Sequence, residues 1–226
     1  MRLIALLFFP LLLLAELFPT HTETTVKEVS EKGVILSKPL PYNGMSGVVV
    51  RDYTPTLPAI IKYIAQTADT GKATFLESET IPHEDLPTIQ TSVKPGDKVI
   101  GGYLYNNVLV LAPNAETYAK FTAKYQKNWI HPDTFSLYLA TIGEQKPTKE
   151  NLQNFSKAHH IGLVVIIKKE GVAVLDPISS KFITKGTVDN LPGKGLLPFF
   201  TRLDKQEAGW FDSEPKGDYY KIMGGL

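Results

Sequence analysis

A chain of 226 residues with 24 Lys and Arg against 23 Asp and Glu can bury a core as one large or two small domains, but has no net field to draw a nucleic acid or an anionic membrane. Arg stands only at positions 2, 51 and 202, which argues further against nucleic acid, since Arg is the residue favoured for bidentate phosphate recognition. With no Cys, disulfides, thiol nucleophiles and Cys-based zinc sites are excluded, and stability must come from the core.

Met1-Arg2 precedes an apolar run from Leu3 to Ala15, interrupted by Pro10 and followed by the polar stretch Thr20 to Thr25. A positive start and a run of this length match a secretory signal peptide, assigned to residues 1–22. The run is shorter than the roughly 20 residues that span a bilayer as a helix. The cleavage site is not fixed by the sequence, since Leu13-x-Ala15 is a poor match to A-x-A and Thr20-x-Thr22 a looser variant of it, and an uncleaved anchor is the alternative, the one expected membrane contact. Export without Cys suits a bacterial periplasm, with surface exposure as a further option.

The body then divides near residue 112. From 23 to 112 the pattern is β-rich: short strands at Thr24–Ser30 and Gly33–Ser37, a strand at Gly47–Val50 ended by Pro55 and Pro58, and a hairpin of Ala59–Ala68 and Lys72–Glu77 around Asp69-Thr70-Gly71. A polar loop follows from Ile81 to Thr91. Beyond the turn Lys94-Pro95-Gly96-Asp97, a third hairpin is expected from Lys98–Tyr105 and Val108–Leu111. Strands of this kind predict a small barrel or a sandwich.

From 113 to 226 the period changes. Tyr118, Phe121 and Tyr125 recur at helical spacing within Ala115–Lys127, Pro132 opens a second helix through Ile142, and Thr148 caps a third over Lys149–Ala158. Leu163 to Ile167 and Val172 to Leu175 flank Lys168-Lys169-Glu170-Gly171 as a central hairpin, apolar on both faces and so covered on both sides. A strand at Lys181–Lys185 and a Gly-, Pro- and aromatic-rich tail complete the chain. The fold class expected is α+β: a β-rich N-terminal half, then helices packed on a central hairpin or small sheet.

Candidate chemistry is sparse. His159-His160 point about 100° apart if helical and cannot chelate as an i, i+4 pair; a helix C-terminus explains them as well. His83-Glu84-Asp85 has metal-ligating side chains without a second ligand pair at recognisable spacing, which reads as a solvated loop. Gly44-Met45-Ser46-Gly47 is not a nucleophile elbow, and Leu191-Pro192-Gly193-Lys194-Gly195 lacks the P-loop frame. Neither cofactor nor metal is implied, and no catalytic residue is assigned. The closing aromatics Trp210, Phe211, Tyr219 and Tyr220 either fold back over the core or serve as anchors for a partner.

Gly47-Val48-Val49-Val50, Gly71-Lys72-Ala73, Leu86-Pro87, Gly96-Asp97, Leu111-Ala112-Pro113-Asn114, Ile161-Gly162-Leu163-Val164-Val165 and Pro198-Phe199-Phe200-Thr201-Arg202 together resemble, in order, the plasminogen-binding protein A N-terminal domain family of spiral, flagellated bacteria. The resemblance implies an exported protein, and the absence of catalytic motifs argues for a non-enzymatic one. It associates plasminogen binding with accessible lysines, which kringle modules hold through carboxylate partners, and with a Lys-rich tail ending in Lys. This sequence ends Met223-Gly224-Gly225-Leu226, so capture would use an internal Lys beside an acid, Lys205 with Glu207 or Lys216 with Asp218. Two readings follow: a periplasmic scaffold or interaction protein of an envelope assembly such as the flagellar motor, or a plasminogen-binding surface protein. A hydrolase or metal-dependent enzyme with scattered residues is the third.

Overall fold

Short strands with regular turns leave unpaired edges unless they close on themselves, and here they close. The computed structural model describes residues 17–54, 57–76, 91–203 and 217–226. Strands β1 (Thr22–Ser30), β2 (Gly33–Leu36), β3 (Ser46–Thr54), β4 (Leu57–Gln66), β5 (Lys72–Phe75) and β6 (Lys98–Gly101) form a closed barrel in the order β1-β2-β5-β4-β3-β6. Each strand pairs antiparallel with its neighbours, and β6 returns to β1 through Thr22 opposite Gly101. Strand alternation sends Val26, Val34, Leu36, Val49, Ile64, Ala73 and Val99 into one core. The fully buried Gln66 amide accepts from Leu40 N at 2.7 Å and donates to Leu40 O at 2.9 Å, fixing the Pro39–Pro41 segment to β4. Arg51 holds Asp97 bidentately, at 2.9 and 2.6 Å, and so ties β3 to the turn before β6.

Two expectations fail here. Pro58 does not end a strand: it lies inside β4, opposite Asp52 of β3. The β5 ladder reaches only Ile64 to Gln66, so the N–H that proline lacks has no bond to lose on that side. Nor do Lys98–Tyr105 and Val108–Leu111 form a hairpin. Both edges of β6 are already taken by β1 and β3, and Gly102, at φ +71°, turns the chain away. The next strand, β7 (Asn107–Leu111), belongs to a second sheet.

That sheet runs β11-β10-β9-β7-β8, with β8 (Asn128–Ile130), β9 (Leu163–Lys168), β10 (Gly171–Asp176) and β11 (Lys181–Gly186). β7 is parallel to both β8 and β9, whereas β9, β10 and β11 are antiparallel. Helix α1 (Ala115–Lys124) makes the crossover from β7 to β8. It stops short of Lys127 because Tyr125 is already extended, at φ −131°, and the three residues of β8 were too few to read. Helices α2 (Pro132–Thr141) and α3 (Lys149–Ala158) start where expected. Thr148 and Asn151 cap α3 reciprocally.

The run Leu163–Ile167 is fully buried. Leu163, Val165 and Ile167 join Val108, Val110, Val172 and Val174 on the face continuous with the barrel core and Phe121. Val164 and Ile166 join Leu109, Leu111 and Leu175 on the other, under Phe135, Leu139, Leu152, Phe155 and Phe199. At roughly 1.5–3 kcal/mol per buried aliphatic side chain, β9 alone contributes on the order of 10 kcal/mol of gross burial. The last helix, α4 (Tyr219–Gly224), packs on this second face with Tyr219 and Met223. Leu17 and Phe18 are also core residues.

Candidate interaction surface

Two buried carboxylates fix the frame on which any surface is displayed. Asp176, at the end of β10, is fully buried. Its Oδ2 accepts from Ser46 N at 2.8 Å and from the Tyr105 hydroxyl at 2.6 Å, and its Oδ1 accepts from Ile178 N and Ser179 N at 2.9 and 3.0 Å. One side chain thereby joins the barrel strand β3 to the second sheet. Burial pushes its carboxyl above the ordinary carboxylate range, against the donors that hold it. Burial, with the Asp176 charge beside it, pushes the Tyr105 hydroxyl well above its usual value.

Asp133 does the same for the motif at residues 198–202. It accepts from Thr201 Oγ1 at 2.9 Å, Arg202 N at 2.8 Å and Arg202 Nε at 2.7 Å. Burial alone would raise this carboxyl, but the Arg202 and Thr201 donors bring it below the ordinary range.

The solvent face offers a cluster of cations. Lys149 opens α3, Lys168 ends β9 and Lys185 lies on β11. The Lys149 and Lys168 ammonium groups stand 5.2 and 4.7 Å from the centroid of the Phe182 ring, a cation–π distance. Partial burial lowers the Lys168 pKa; Glu170 opposes the shift, while the like charges of Lys149 and Lys185 add to it. Lys149 also sits at the positive end of the α3 dipole, where a cation is disfavoured. Two ammonium groups over an aromatic floor, with the Lys185 charge acting on Lys168 and Glu170 as the opposing acid, form an electropositive patch suited to a partner that presents carboxylates. A separate cleft of about 620 Å³ includes Phe18, Tyr103, Tyr105, Tyr125 and Lys127 in its lining; the Lys127 ammonium is engaged with the Phe18 ring at 5.1 Å and the Tyr105 carbonyl at 3.2 Å.

Of the candidate partner-binding residues, Lys205, Glu207, Trp210, Phe211 and Lys216 lie outside the described residues, as does His83-Glu84-Asp85. Asp218 caps α4, its side chain accepting from Lys221 N at 2.9 Å. Tyr219 is fully buried, and its hydroxyl, with one proton to donate, lies 2.9 and 2.8 Å from Leu111 O and Ile167 O. Burial raises its pKa far above the usual tyrosine value. It folds back onto the core rather than facing a partner. Tyr220 is half-buried and donates to Pro192 O at 2.6 Å. His159 caps α3 and His160 turns the chain at φ +53°, both exposed. Among the described residues no group of three or more His, Asp or Glu is placed to hold a metal ion, and no helix is long and apolar enough to cross a membrane.

Lys149, Lys168 and Lys185 were missed as a group. Lys168 read as part of a polar turn and Lys149 as a helix start; only the packing of α3 beside the β11 edge brings them together.

A closed barrel fused to a sheet covered on both faces, with lysines clustered on its surface, defines an α+β fold. Residues 21–223 match the family described as plasminogen-binding protein pgbA N-terminal, and the chain belongs to it. Proteins named Plasminogen-binding protein PgbA from two strains of Helicobacter pylori, J99 and 26695, are each 25% identical to it over 194 residues. The match covers 85% of this chain but 39% of each relative, so the chain spans well under half their length. No solved structure matches it significantly.

Proposed function

We propose that this chain is the folded display domain of an exported bacterial protein that binds plasminogen through lysine side chains. Family membership over residues 21–223 carries the reading, together with the name of the relatives. The pairing of Lys149 and Lys168 over Phe182, with the Lys185 charge acting on Lys168, supports this surface as the binding site. Kringle modules take an ammonium group between carboxylates, and a rigid cluster of three raises the local concentration of such groups without ordering a flexible tail. The comparisons lend no support to a flagellar-motor scaffold; export to the periplasm or surface is what this reading keeps from it.

The test is binding of the purified protein to immobilised plasminogen, with and without a lysine analogue. Binding that the analogue abolishes, and that falls at least tenfold when Lys149, Lys168 and Lys185 are all replaced by Ala, supports the reading. Binding indifferent to the analogue rejects lysine capture. Analogue-sensitive binding that survives the triple replacement moves the site elsewhere on the chain.

A further inference from the structure

We infer that the export leader is cut ahead of Leu17, at the bond between Ala15 and Glu16, so that the released protein starts one residue before its own core. The inference rests on the exported reading above. Its basis is the burial of Leu17 and Phe18, which are 8% and 5% exposed. The Phe18 ring meets Tyr125 at 4.9 Å, Trp129 at 6.2 Å and Phe121 at 6.3 Å, each near edge-to-face. The Leu17 carbonyl accepts from Thr184 Oγ1 at 2.5 Å, and a Cβ added at Gly186 would lie 3.1 Å from Leu17 Cδ1. Two residues thus bridge α1, β8 and β11.

A cut after Thr22 removes both of them, together with the first β1 residue, Thr22, which pairs with Gly101. It would expose the Phe121, Tyr125 and Trp129 rings that Phe18 covers. A cut after Ala15 costs none of this, and Ala15 supplies the small side chain beside the scissile bond, with Leu13 standing in place of the first Ala of the A-x-A pattern. Retaining the leader would leave only Glu16 between the apolar run Leu3–Ala15 and a buried Leu17. Cleavage is hydrolysis of one peptide bond: water adds across it, leaving a carboxylate on Ala15 and an amine on Glu16.

The experiment is to recover the native protein from the envelope of its bacterium and read its N-terminus by intact mass and terminal-peptide sequencing. The expected first residue is Glu16. A start at any residue other than Glu16, retention of Met1 on envelope protein included, overturns the inference while leaving export standing. Protein found only in the cytoplasm with Met1 in place overturns export and this inference together. In a second arm, Phe18→Ala in the exported chain should lower Tm by roughly 6–20 °C, from the usual Phe-to-Ala cost in a domain of this size. An unchanged Tm overturns the placement of Phe18 in the core.

Discussion

Replacing Asp176 by Ala tests whether one carboxylate holds the barrel to the second sheet. The substitution strips the acceptor from four donors, Ser46 N, Tyr105 Oη, Ile178 N and Ser179 N, at a site with no solvent exposure. Each buried donor left unsatisfied costs about 1–3 kcal/mol. Some relaxation is expected at Ser179, which is only half-buried, so the total is about 3–6 kcal/mol, or roughly 6–24 °C in Tm for a chain of this length. Tyr105→Phe leaves the carboxylate three of its four donors and should cost about 1–2 kcal/mol. Asp176→Asn should fall between, because its amide cannot accept from Ser46 N and Ile178 N at once without turning a donor onto one of them. The assay is urea unfolding of the three variants and the Asp176→Ala/Tyr105→Phe double variant, followed by both near-UV and far-UV circular dichroism. A coupling of at least 0.5 kcal/mol between the two sites is expected. Asp176→Ala within 1 kcal/mol of the parent, or strict additivity with Tyr105→Phe, refutes the carboxylate as the joint.

Tyr105 and Tyr219 both titrate above their usual 10.0 in the folded chain. Their contribution is therefore intact below pH 10 and lost as pH rises beyond it, because the unfolded chain releases protons that the fold retains. The slope is about 1.4 kcal/mol per pH unit for each tyrosine; urea midpoints between pH 9 and 11 check it, and Tyr105→Phe should make the fall shallower. Gly162→Ala places a Cβ 2.3 Å from the Leu104 backbone, where β9 begins, and should cost about 2 kcal/mol or more by thermal melting; a neutral result rejects the close approach. Phe182→Leu removes the ring under Lys149 and Lys168 while keeping all three charges, and should weaken lysine-dependent plasminogen binding about three- to tenfold by surface plasmon resonance. Unchanged affinity means that charge alone matters there.

What was legible in the sequence followed periodicity and turn chemistry. The run Leu163–Ile167 announced a strand buried on both faces because no polar residue interrupts it, and Thr148 with Asn151 announced the start of α3 because a cap is a local hydrogen-bond arrangement. The failures lie where partners are distant in sequence. Whether Lys98–Gly101 pairs with β7 or with β1 and β3 depends on barrel closure, which no window around Gly102 contains. The motif at 198–202 carries no local sign of its partner: Thr201 and Arg202 donate to Asp133, some 70 residues earlier. The lysine patch was illegible for the same reason: Lys149 and Lys185 meet Lys168 only through tertiary packing.

The architecture also limits what kind of recognition the domain can perform. Barrel closure pairs every strand on both sides over part of its length, but β3 and β4 run past their β6 and β5 partners, at 51–54 and 57–62, so strand addition to the barrel is confined to that hairpin arm. Both faces of the second sheet are covered, one by the barrel core and α1, the other by α2, α3 and α4. In the second sheet, backbone pairing is confined to the outer edges of β8 and β11, the first only three residues long and the second bearing Lys181 and Lys185, charges of the kind that discourage strand pairing at an edge. Elsewhere, side chains projecting from rigid elements are what a partner reads. A lysine held by α3, β9 or β11 has its base fixed by a buried core, so a partner pays less ordering entropy for it than for a lysine on a free tail. Such a module can hold ammonium groups whether or not the rest of a longer protein supplies more of them, which is why the lysine patch rather than any cleft is the surface to mutate first.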